Sequence, residues 1–252
     1  APQVRYTFDF GNGLTLAAAA ENAQVKVENG ASSSSNTQMG SFSSNPSNSP
    51  VNLSDKIPDF TFKLNYAAPW GHIDGRVAIS DDWVVMSGGN KSTTGWAVGV
   101  AGSWNVPFFA GDTLNAAFQY GDGATKYVEG SGPQMDVVVD SALSLHKITA
   151  WQAQANYAHY WFNAGGANLR SNLAFSYLKT DFKQSWFGGN HFDQSASYSN
   201  QYKDGWFGAV NLIWSPVPQV DLGVEYAYGR VQLQSGQRAD SSAVNAIATF
   251  RF

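Results

Sequence analysis

The sequence contains no cysteine and few charged residues, and each of these absences excludes classes of protein. Without cysteine, disulfide scaffolds, Cys-ligated metal sites and thiol catalysis are excluded. Charged residues make up 13% of the 252 residues, against about 25% in ordinary globular domains. The net charge of -4 argues against a nucleic-acid partner, which would need a basic surface. No apolar run approaches the length of about 18 residues that a transmembrane helix requires.

Aromatic residues are abundant instead, and apolar residues recur at every second position. The 9 Trp, 11 Tyr and 16 Phe residues are too many for a disordered chain. Alternation of apolar and polar residues is typical of β-strands with one apolar and one polar face. It occurs in about eleven segments of roughly nine to eleven residues, the length with which a tilted strand crosses a bilayer. The segments are 4–10, 14–21, 60–66, 73–80, 96–104, 114–120, 149–161, 169–177, 206–214, 220–228 and 243–252.

The connections between these segments alternate between short and long. Tight periplasmic turns and long extracellular loops are expected of an outer-membrane barrel, whereas a soluble sandwich has no reason to segregate its loops by length. The loop at 29–57 is almost of low complexity and cannot form a core of its own. Short turns lie near 11–13, 69–72, 105–112, 163–167 and 215–219, and long loops near 29–57, 81–93, 122–146, 181–203 and 232–241.

Aromatic residues concentrate near both ends of the predicted strands, as in the two girdles of a membrane barrel. The face opposite the apolar one carries repeated charges and is too polar for the packed core of a sandwich. The sequence therefore predicts an all-β protein, a transmembrane antiparallel β-barrel of the bacterial outer membrane that occupies residues 1–252. The girdle candidates are Trp70, Trp104, Trp161, Trp214, Phe250 and Phe252 beside short turns, and Trp96, Tyr120, Tyr177, Trp206 and Tyr228 beside long loops.

The odd number of predicted strands conflicts with a closed barrel. Closed bacterial barrels have an even number of strands and both chain ends on the periplasmic side. Residues 4–10 lead into a short turn, so the first predicted strand begins on the long-loop side. We therefore expect the chain to be the C-terminal part of a barrel of about 16 strands, lacking about five N-terminal strands of a whole of roughly 370 residues.

Three stretches resemble a known family. Residues 211–238 contain Trp-Ser-Pro-Val-Pro followed by Asp-Leu-Gly-Val-Glu-Tyr, and residues 244–252 end the chain on Phe252. Together with the opening residues 1–22, they resemble the DcaP-like porin subfamily of proteobacterial outer membranes. The resemblance implies a trimeric porin of about 16 strands that passes small organic acids, dicarboxylates and aromatic acids included.

If the apolar faces meet lipid, the alternating polar residues line the lumen of the barrel. Arg76 and Arg170 are suited to contact a passing carboxylate, and we expect them to contribute to anion preference. The alternative is structural, because Arg–carboxylate pairs often neutralise each other against a barrel wall. Basic and acidic candidates balance in number, so the wall alone does not fix the ion preference. The pore-lining candidates are Arg5, Asp9, Glu21, Lys63, Asp74, Arg76, Arg170, Asp221, Glu225 and Arg251.

The loop at 122–146 is the one we expect to fold inward. Its apolar stretch 137–139 is unusual for an extracellular loop and indicates packing against another part of the protein. Asp136 and Asp140 are therefore candidate constriction residues, facing basic residues of the wall across the pore.

No motif predicts catalysis, a cofactor or a metal site. The histidines, His72, His146, His159 and His191, lack neighbours at metal-ligand spacing. His159 could meet Ser171 or Ser176 on a neighbouring strand, as in a hydrolase, but serine is too abundant for this to carry weight.

We therefore expect a passive diffusion channel for small hydrophilic solutes rather than an enzyme. The expected partners are membrane lipid, lipopolysaccharide and two further copies in a homotrimer, without nucleic acid. Two alternatives stay open. One is a plugged receptor or structural barrel whose loops bind a partner, and the other is a soluble β-rich binding protein.

Overall fold

The computed structural model describes residues 3–22, 27–29, 51–53, 57–86, 89–109, 111–128, 135–140, 144–187 and 198–251. Across these ranges the chain is almost entirely β-strand, with short 3-10 turns at Thr125–Tyr127 and Gln184–Phe187. None of the helical segments within them is long and apolar enough to cross a membrane. The predicted all-β architecture is confirmed.

Eleven strands form one antiparallel meander, in the order β1-β2-β5-β6-β7-β8-β11-β12-β13-β14-β15. This confirms the predicted number of about eleven strands. The short strand β4 adds to β6, and β3, β9 and β10 form a separate three-stranded sheet. The strands are β1 Gln3–Gly11, β2 Leu14–Glu21, β3 Val27–Asn29, β4 Val51–Leu53, β5 Asp59–Ala68, β6 Gly71–Met86, β7 Gly89–Asn105, β8 Thr113–Asp122, β9 Val137–Val139, β10 Leu145–Lys147, β11 Thr149–Ala164, β12 Ala167–Asp181, β13 Tyr202–Val217, β14 Val220–Leu233 and β15 Arg238–Phe250.

The main sheet has an exposed apolar face and a more sheltered polar one, the inverse of a soluble sheet. Phe175 and Val224 on the apolar face expose 50% and 51% of their surface, whereas Asp74 and Gln119 on the other face expose 2% and 5%. Rows of large exposed apolar side chains on strand after strand are typical of a wall that meets hydrocarbon. We call the polar face the inward face.

The two edges of the sheet are unpaired within the part of the chain that the structure describes. β1 pairs with β2, and β15 pairs with β14, each on one side only. Both edge strands are exposed along their length. The described strands therefore form an open sheet, and its apolar outward face and polar inward face are those expected of a barrel wall.

At one end of the sheet, tight turns join the strands as predicted. They lie at 12–13, 69–70, 106–112, 165–166 and 218–219. Gly13 in the first turn has a φ of 82°, and a Cβ atom there would lie 2.0 Å from the carbonyl oxygen of Ala67. Only glycine fits both the left-handed backbone and this close approach.

At the other end, two of the predicted long loops are wrong. Within the predicted loop 81–93, residues 81–86 and 89–93 are the ends of β6 and β7, which run on as a hairpin to Met86 and Gly89. Residues 232–241 likewise contain a tight turn at 234–237 between β14 and β15. These hairpin arms extend beyond the girdle residues Trp96 and Tyr228, and the alternation of apolar and polar residues is lost there. Long strands, as well as long loops, therefore extend the wall at this end of the sheet.

The remaining loops pack on one another. The predicted loop 122–146 contains β9 and β10, and Val138 joins Ile148, Phe182 and Phe187 in a small buried core. Residues 137–139, predicted to pack, are each fully buried. The loop 181–203 is described at its two ends, and most of 29–57, like His191, lies outside the described residues.

Candidate functional site

The strand register brings basic side chains together on the inward face. Lys63 of β5 lies opposite Arg76 of β6, and the same row continues through Gly99 of β7, Gln119 of β8 and Gln152 of β11. Because paired residues in a sheet point to the same side, these groups form one polar band across the wall.

The carboxylate of Asp74 holds the two basic residues of this band, Lys63 and Arg76, in position. Asp74 lies two residues before Arg76 on β6, so it faces inward as well. Its Oδ1 atom lies 2.5 Å from Nε of Arg76, and its Oδ2 atom lies 3.4 Å from Nζ of Lys63. The side chain of Asp74 is 2% exposed, whereas those of Lys63 and Arg76 are each 39% exposed. The acidic member of the trio is therefore sheltered, and the basic members face the solvent.

Above the band lies a recess of about 430 Å³ with a basic lining. Four of the side chains around it are basic and one, that of Glu21, is acidic. The recess therefore offers an anion several donors in a partly sheltered setting. Its polar lining consists of Gln3, Arg5, Glu21, Thr61, Lys63, Arg76, Gln119, Lys126 and Tyr127.

The roof of the recess is a loop that folds onto the wall. We call the described residues 123–128, 135–140 and 144–148 the inward loop. Ala124 at its start is fully buried against Ala78 and Ala97 of the inward face. A Cβ atom on Gly95 would lie 2.0 Å from the carbonyl oxygen of Gly123, so the missing side chain at this position lets the loop backbone touch the wall.

The inward loop contributes Lys126 and Tyr127 to the recess. Nζ of Lys126 lies 2.8 Å from Oδ2 of Asp59, to which the Tyr127 hydroxyl also donates a hydrogen bond of 2.8 Å. The same hydroxyl lies 3.5 Å from Oε2 of Glu21. The sequence does not predict this contact of Lys126 and Tyr127 with Asp59, because a Lys-Tyr pair in a loop carries no periodic signal.

The two acidic residues nominated as constriction candidates do not line the recess. Asp136 is fully buried and accepts hydrogen bonds from the Thr125 hydroxyl and the backbone N–H of Lys126. Asp140 accepts from the backbone N–H of Ser144, and its Oδ2 atom lies 2.8 Å from Nε2 of His146. Both carboxylates bind within the inward loop and shape it.

A second buried carboxylate, Asp82, lies where the inward loop meets β6. It is three residues beyond Ile79, the partner of the girdle residue Trp96, and so lies above the membrane-facing band. The Ser80 hydroxyl donates to its Oδ1 atom at 3.3 Å, while Oδ2 is buried without a hydrogen bond. Burial, followed by the charge of Asp136, raises the pKa of Asp82 to about 8.

Comparison with known proteins identifies the family. A family model described as a porin subfamily matches residues 1–249. The chain belongs to this porin subfamily. As the resemblance implied, it is a β-barrel protein of the bacterial outer membrane, and the predicted location is confirmed.

The matches among solved structures include an outer membrane channel and a NanC porin, and no curated protein matches this porin. The outer membrane channel DcaP of Acinetobacter baumannii superposes with a TM-score of 0.75 at 22% identity, over 100% of this chain and 62% of that one. The likeness confirms the fold, and the porin chain spans 62% of the length of that channel. A NanC porin aligns with a TM-score of 0.38 at 12% identity, over 99% of this chain and 92% of that one.

Elsewhere in the porin, Arg170 belongs to a network near the short-turn end. Its Nη1 atom donates to Asn168 at 2.7 Å and to Ser215 at 2.9 Å, and its Nη2 atom lies 3.3 Å from Oδ2 of Asp221. Arg251 binds the same carboxylate oxygen. Arg170 is therefore committed to structural partners and does not line the basic recess with Arg76.

The other pore-lining candidates are scattered over the inward face. Arg5 lines the recess and makes no ion pair within the described residues. Asp9 accepts a hydrogen bond of 2.8 Å from the N–H of Gly11 in the first turn. Glu225 accepts one of 3.2 Å from Asn245 on β15. The structure thus brings Arg5, Glu21, Lys63 and Arg76 together at the recess, with Asp74 bound to the two last. It places Arg170, Asp221 and Arg251 in a second network and leaves Asp9 and Glu225 apart from both.

The histidine candidates do not assemble a catalytic or metal site in the described part of the porin. No cluster there could hold a metal ion. His159 and Ser171 are cross-strand partners, but Nδ1 of His159 lies 2.7 Å from Asp112, and the Ser171 hydroxyl accepts from the Trp161 indole at 3.2 Å. These groups tie a turn and two strands together.

Proposed function

We propose that this porin forms the wall of a passive diffusion channel for small hydrophilic solutes, with a preference for small organic anions such as carboxylates. The observation that carries the proposal is the basic recess on the inward face. Lys63 and Arg76 lie at one height of the wall, Arg5 lies on a neighbouring row, and Lys126 comes from the inward loop. These guanidinium and ammonium groups are well suited to bind a carboxylate as it passes. No step of the transport requires a cofactor.

A channel requires a closed lumen, so the two free edges of the sheet need partners. We propose that further strands pair with β1 and β15 and complete a barrel of about 16 strands, of which residues 1–252 form the C-terminal region. The inward loop would then lie across the lumen above the basic band.

We further propose a homotrimer embedded in lipid and lipopolysaccharide. A patch of small side chains on the outward face supports it, because a flat surface lets another wall pack closely. Gly102, Ala116 and Ala155 are consecutive cross-strand partners in this patch, and Ala153 lies beside them. Native mass spectrometry from detergent tests the trimer, and a monomer at all detergent concentrations would contradict it.

Planar-bilayer recording of the complete barrel tests the channel itself. We expect stable single-channel openings and, under a salt gradient, a reversal potential whose sign indicates anion selectivity. Silent insertions would favour the plugged receptor or structural barrel. Purification of the folded protein without detergent would favour the soluble alternative.

Charge removal inside and outside the recess tests the ion preference. Arg76→Ala and Lys63→Ala should each move the reversal potential toward cations. Arg230→Ala is the matched control, because Arg230 pairs with Asp240 on the exposed β14–β15 hairpin. Equal shifts in all three variants would show that the recess is not the selective element.

A further inference from the structure

The acidic groups next to the basic recess are held by the inward loop as well as by the wall. Glu21 ends β2, and Asp59 begins β5 directly opposite it. Two carboxylates at one cross-strand position repel each other and would attract cations into the recess. On the wall, the Thr61 hydroxyl donates to Glu21 at 2.9 Å. Within the part of the chain that the structure describes, the positive charge that compensates this pair comes from the inward loop.

The loop meets both carboxylates with neighbouring residues. Lys126 supplies an ammonium group at 2.8 Å from Asp59, and its side chain is only 10% exposed. Tyr127 donates to Asp59 and also lies within reach of Glu21. Burial and the hydrogen bond to Asp59 raise the pKa of Tyr127 above its ordinary value. The phenol therefore stays protonated and remains a donor.

We propose that Lys126 and Tyr127 determine the ion specificity of the recess by masking Asp59 and Glu21. In this arrangement the wall carries both the anion-binding residues and a cation-binding pair, and the seated loop neutralises the cation-binding pair. The sign of the selectivity thus depends on the seating of the loop. The inference rests on the proposed channel function and assigns to the loop a role beyond narrowing the pore.

Reversal potentials of single channels under a salt gradient test the mask. Lys126→Gln should shift the potential toward cations, and Lys126→Glu should shift it further. Tyr127→Phe should give a smaller shift in the same direction, because it removes a hydrogen bond and no charge. Lys183→Gln is the matched control, since Lys183 lies over Trp186 in another loop and should leave the potential unchanged.

A rescue variant separates masking from a general disturbance of the loop. Asp59→Asn combined with Lys126→Gln removes both members of the ion pair and should return the potential to the anion side. A loop that is merely disordered by the loss of Lys126 would not be rescued. Conducting channels whose potential does not change in Lys126→Gln would overturn the proposal.

Carboxylate labelling provides a readout that does not depend on conduction. Carbodiimide with an amine nucleophile, followed by mass spectrometry, reports the accessibility of Glu21 and Asp59. Labelling of both should rise in a Lys126→Gln/Tyr127→Phe variant, with the exposed Asp9 as the reference. Silent wild-type insertions would overturn the channel function alone. If labelling does not rise, the proposal that the loop masks these carboxylates is wrong, whatever conductance is measured.

Discussion

Nε of Arg76 lies 2.5 Å from Oδ1 of Asp74, two residues earlier on the same strand. Because side chains alternate between the two faces of a strand, both of these side chains lie on the inward face. Asp74 lies deeper and is 2% exposed, whereas the guanidinium group above it is more exposed. A charge-assisted bond of this kind orients the guanidinium plane. The same carboxylate also reaches Lys63, so one buried acid positions both cations of the band.

Asp74→Asn should increase the anion preference of the channel. The variant removes a negative charge beside two cations while keeping a side chain of the same shape. One charge at about 8 Å in water is worth roughly 0.5 kcal/mol, which corresponds to a change of about two-fold in the permeability ratio. Reversal potentials measure it, and a shift toward cations would show that orientation of Arg76 matters more than net charge.

Arg170→Ala should affect stability more than selectivity. Arg170 bonds Asn168, Ser215 and Asp221, and its removal leaves the sheltered carboxylate of Asp221 with fewer partners. We expect a loss of about 1–3 kcal/mol and a reversal potential close to that of the wild type. Thermal unfolding followed by circular dichroism gives the first quantity, with Arg230→Ala as an exposed control. A selectivity shift as large as that of Arg76→Ala would contradict the structural role.

The seating of the inward loop should weaken as pH rises from about 4 to 8. While the loop is seated, the pKa of Asp82 is about 8. Once the Asp82 carboxyl group is exposed, its pKa is the ordinary value of 3.8. The seated state thus binds more protons, so its stability is greatest below pH 3.8, falls through this window and levels off above pH 8. The charged and titratable groups around Asp82 are Asp136 and Lys126 of the loop and Asp59 of β5.

Hydrogen exchange of residues 123–148 across this pH range measures the effect. After correction for the intrinsic pH dependence of exchange, protection should decline in the wild type. Asp82→Asn should flatten the profile, because its side chain stays neutral throughout. A wild-type profile that is already flat would show that Asp82 does not control the seating of the loop.

Asp112→Asn should destabilise the turn between β7 and β8. Asp112 accepts hydrogen bonds from the Tyr157 hydroxyl, from His159 and from the backbone N–H of Tyr160. Burial raises the pKa of Asp112, but the bonds from His159 and Tyr157 outweigh it and hold the pKa below its ordinary value. The stabilisation is therefore present above that value and lost as pH falls through the lowered pKa.

The loss should amount to about 2–3 kcal/mol, since charge-assisted bonds to a buried group are replaced by neutral ones. Thermal unfolding monitored by gel mobility measures it. Asp240→Asn serves as the control, because its carboxylate is 46% exposed and a surface ion pair contributes little. Equal effects of the two substitutions would contradict the assigned role of Asp112.

Lipid contact explains which parts of the fold could be predicted. Where the wall faces hydrocarbon, each outward position must be apolar, and segments such as 60–66 and 114–120 predicted strands and faces that the structure confirms. Above the girdle this requirement ends. The sequence therefore predicts a loop at 81–93, although residues 81–86 and 89–93 pair as regularly as the rest of β6 and β7.

The part of the site on the inward face could be predicted from the sequence, whereas the contacts of the inward loop could not. Alternation alone placed Lys63, Asp74 and Arg76 on one face, and register placed them side by side. The partners of the inward loop depend on contacts between residues far apart in sequence, such as Tyr127 with Asp59. Nothing local encodes those contacts except small residues, among them Gly95 and Gly121, where the loop must approach the wall.

Gly95→Ala should unseat the inward loop. The added Cβ would lie 2.0 Å from the carbonyl oxygen of Gly123, and backbone cannot move aside as a flexible side chain can. Overpacking of this kind costs about 1–3 kcal/mol, which the contact between loop and wall would lose. We expect faster exchange in residues 123–148, a larger single-channel conductance and, with Asp59 and Glu21 unmasked, a weaker anion preference. Gly75→Ala is the matched control on β6, because a Cβ there has no atom within 4 Å. Conductance and exchange that stay at wild-type values in Gly95→Ala would mean that the loop reaches the recess without the close approach at Gly95.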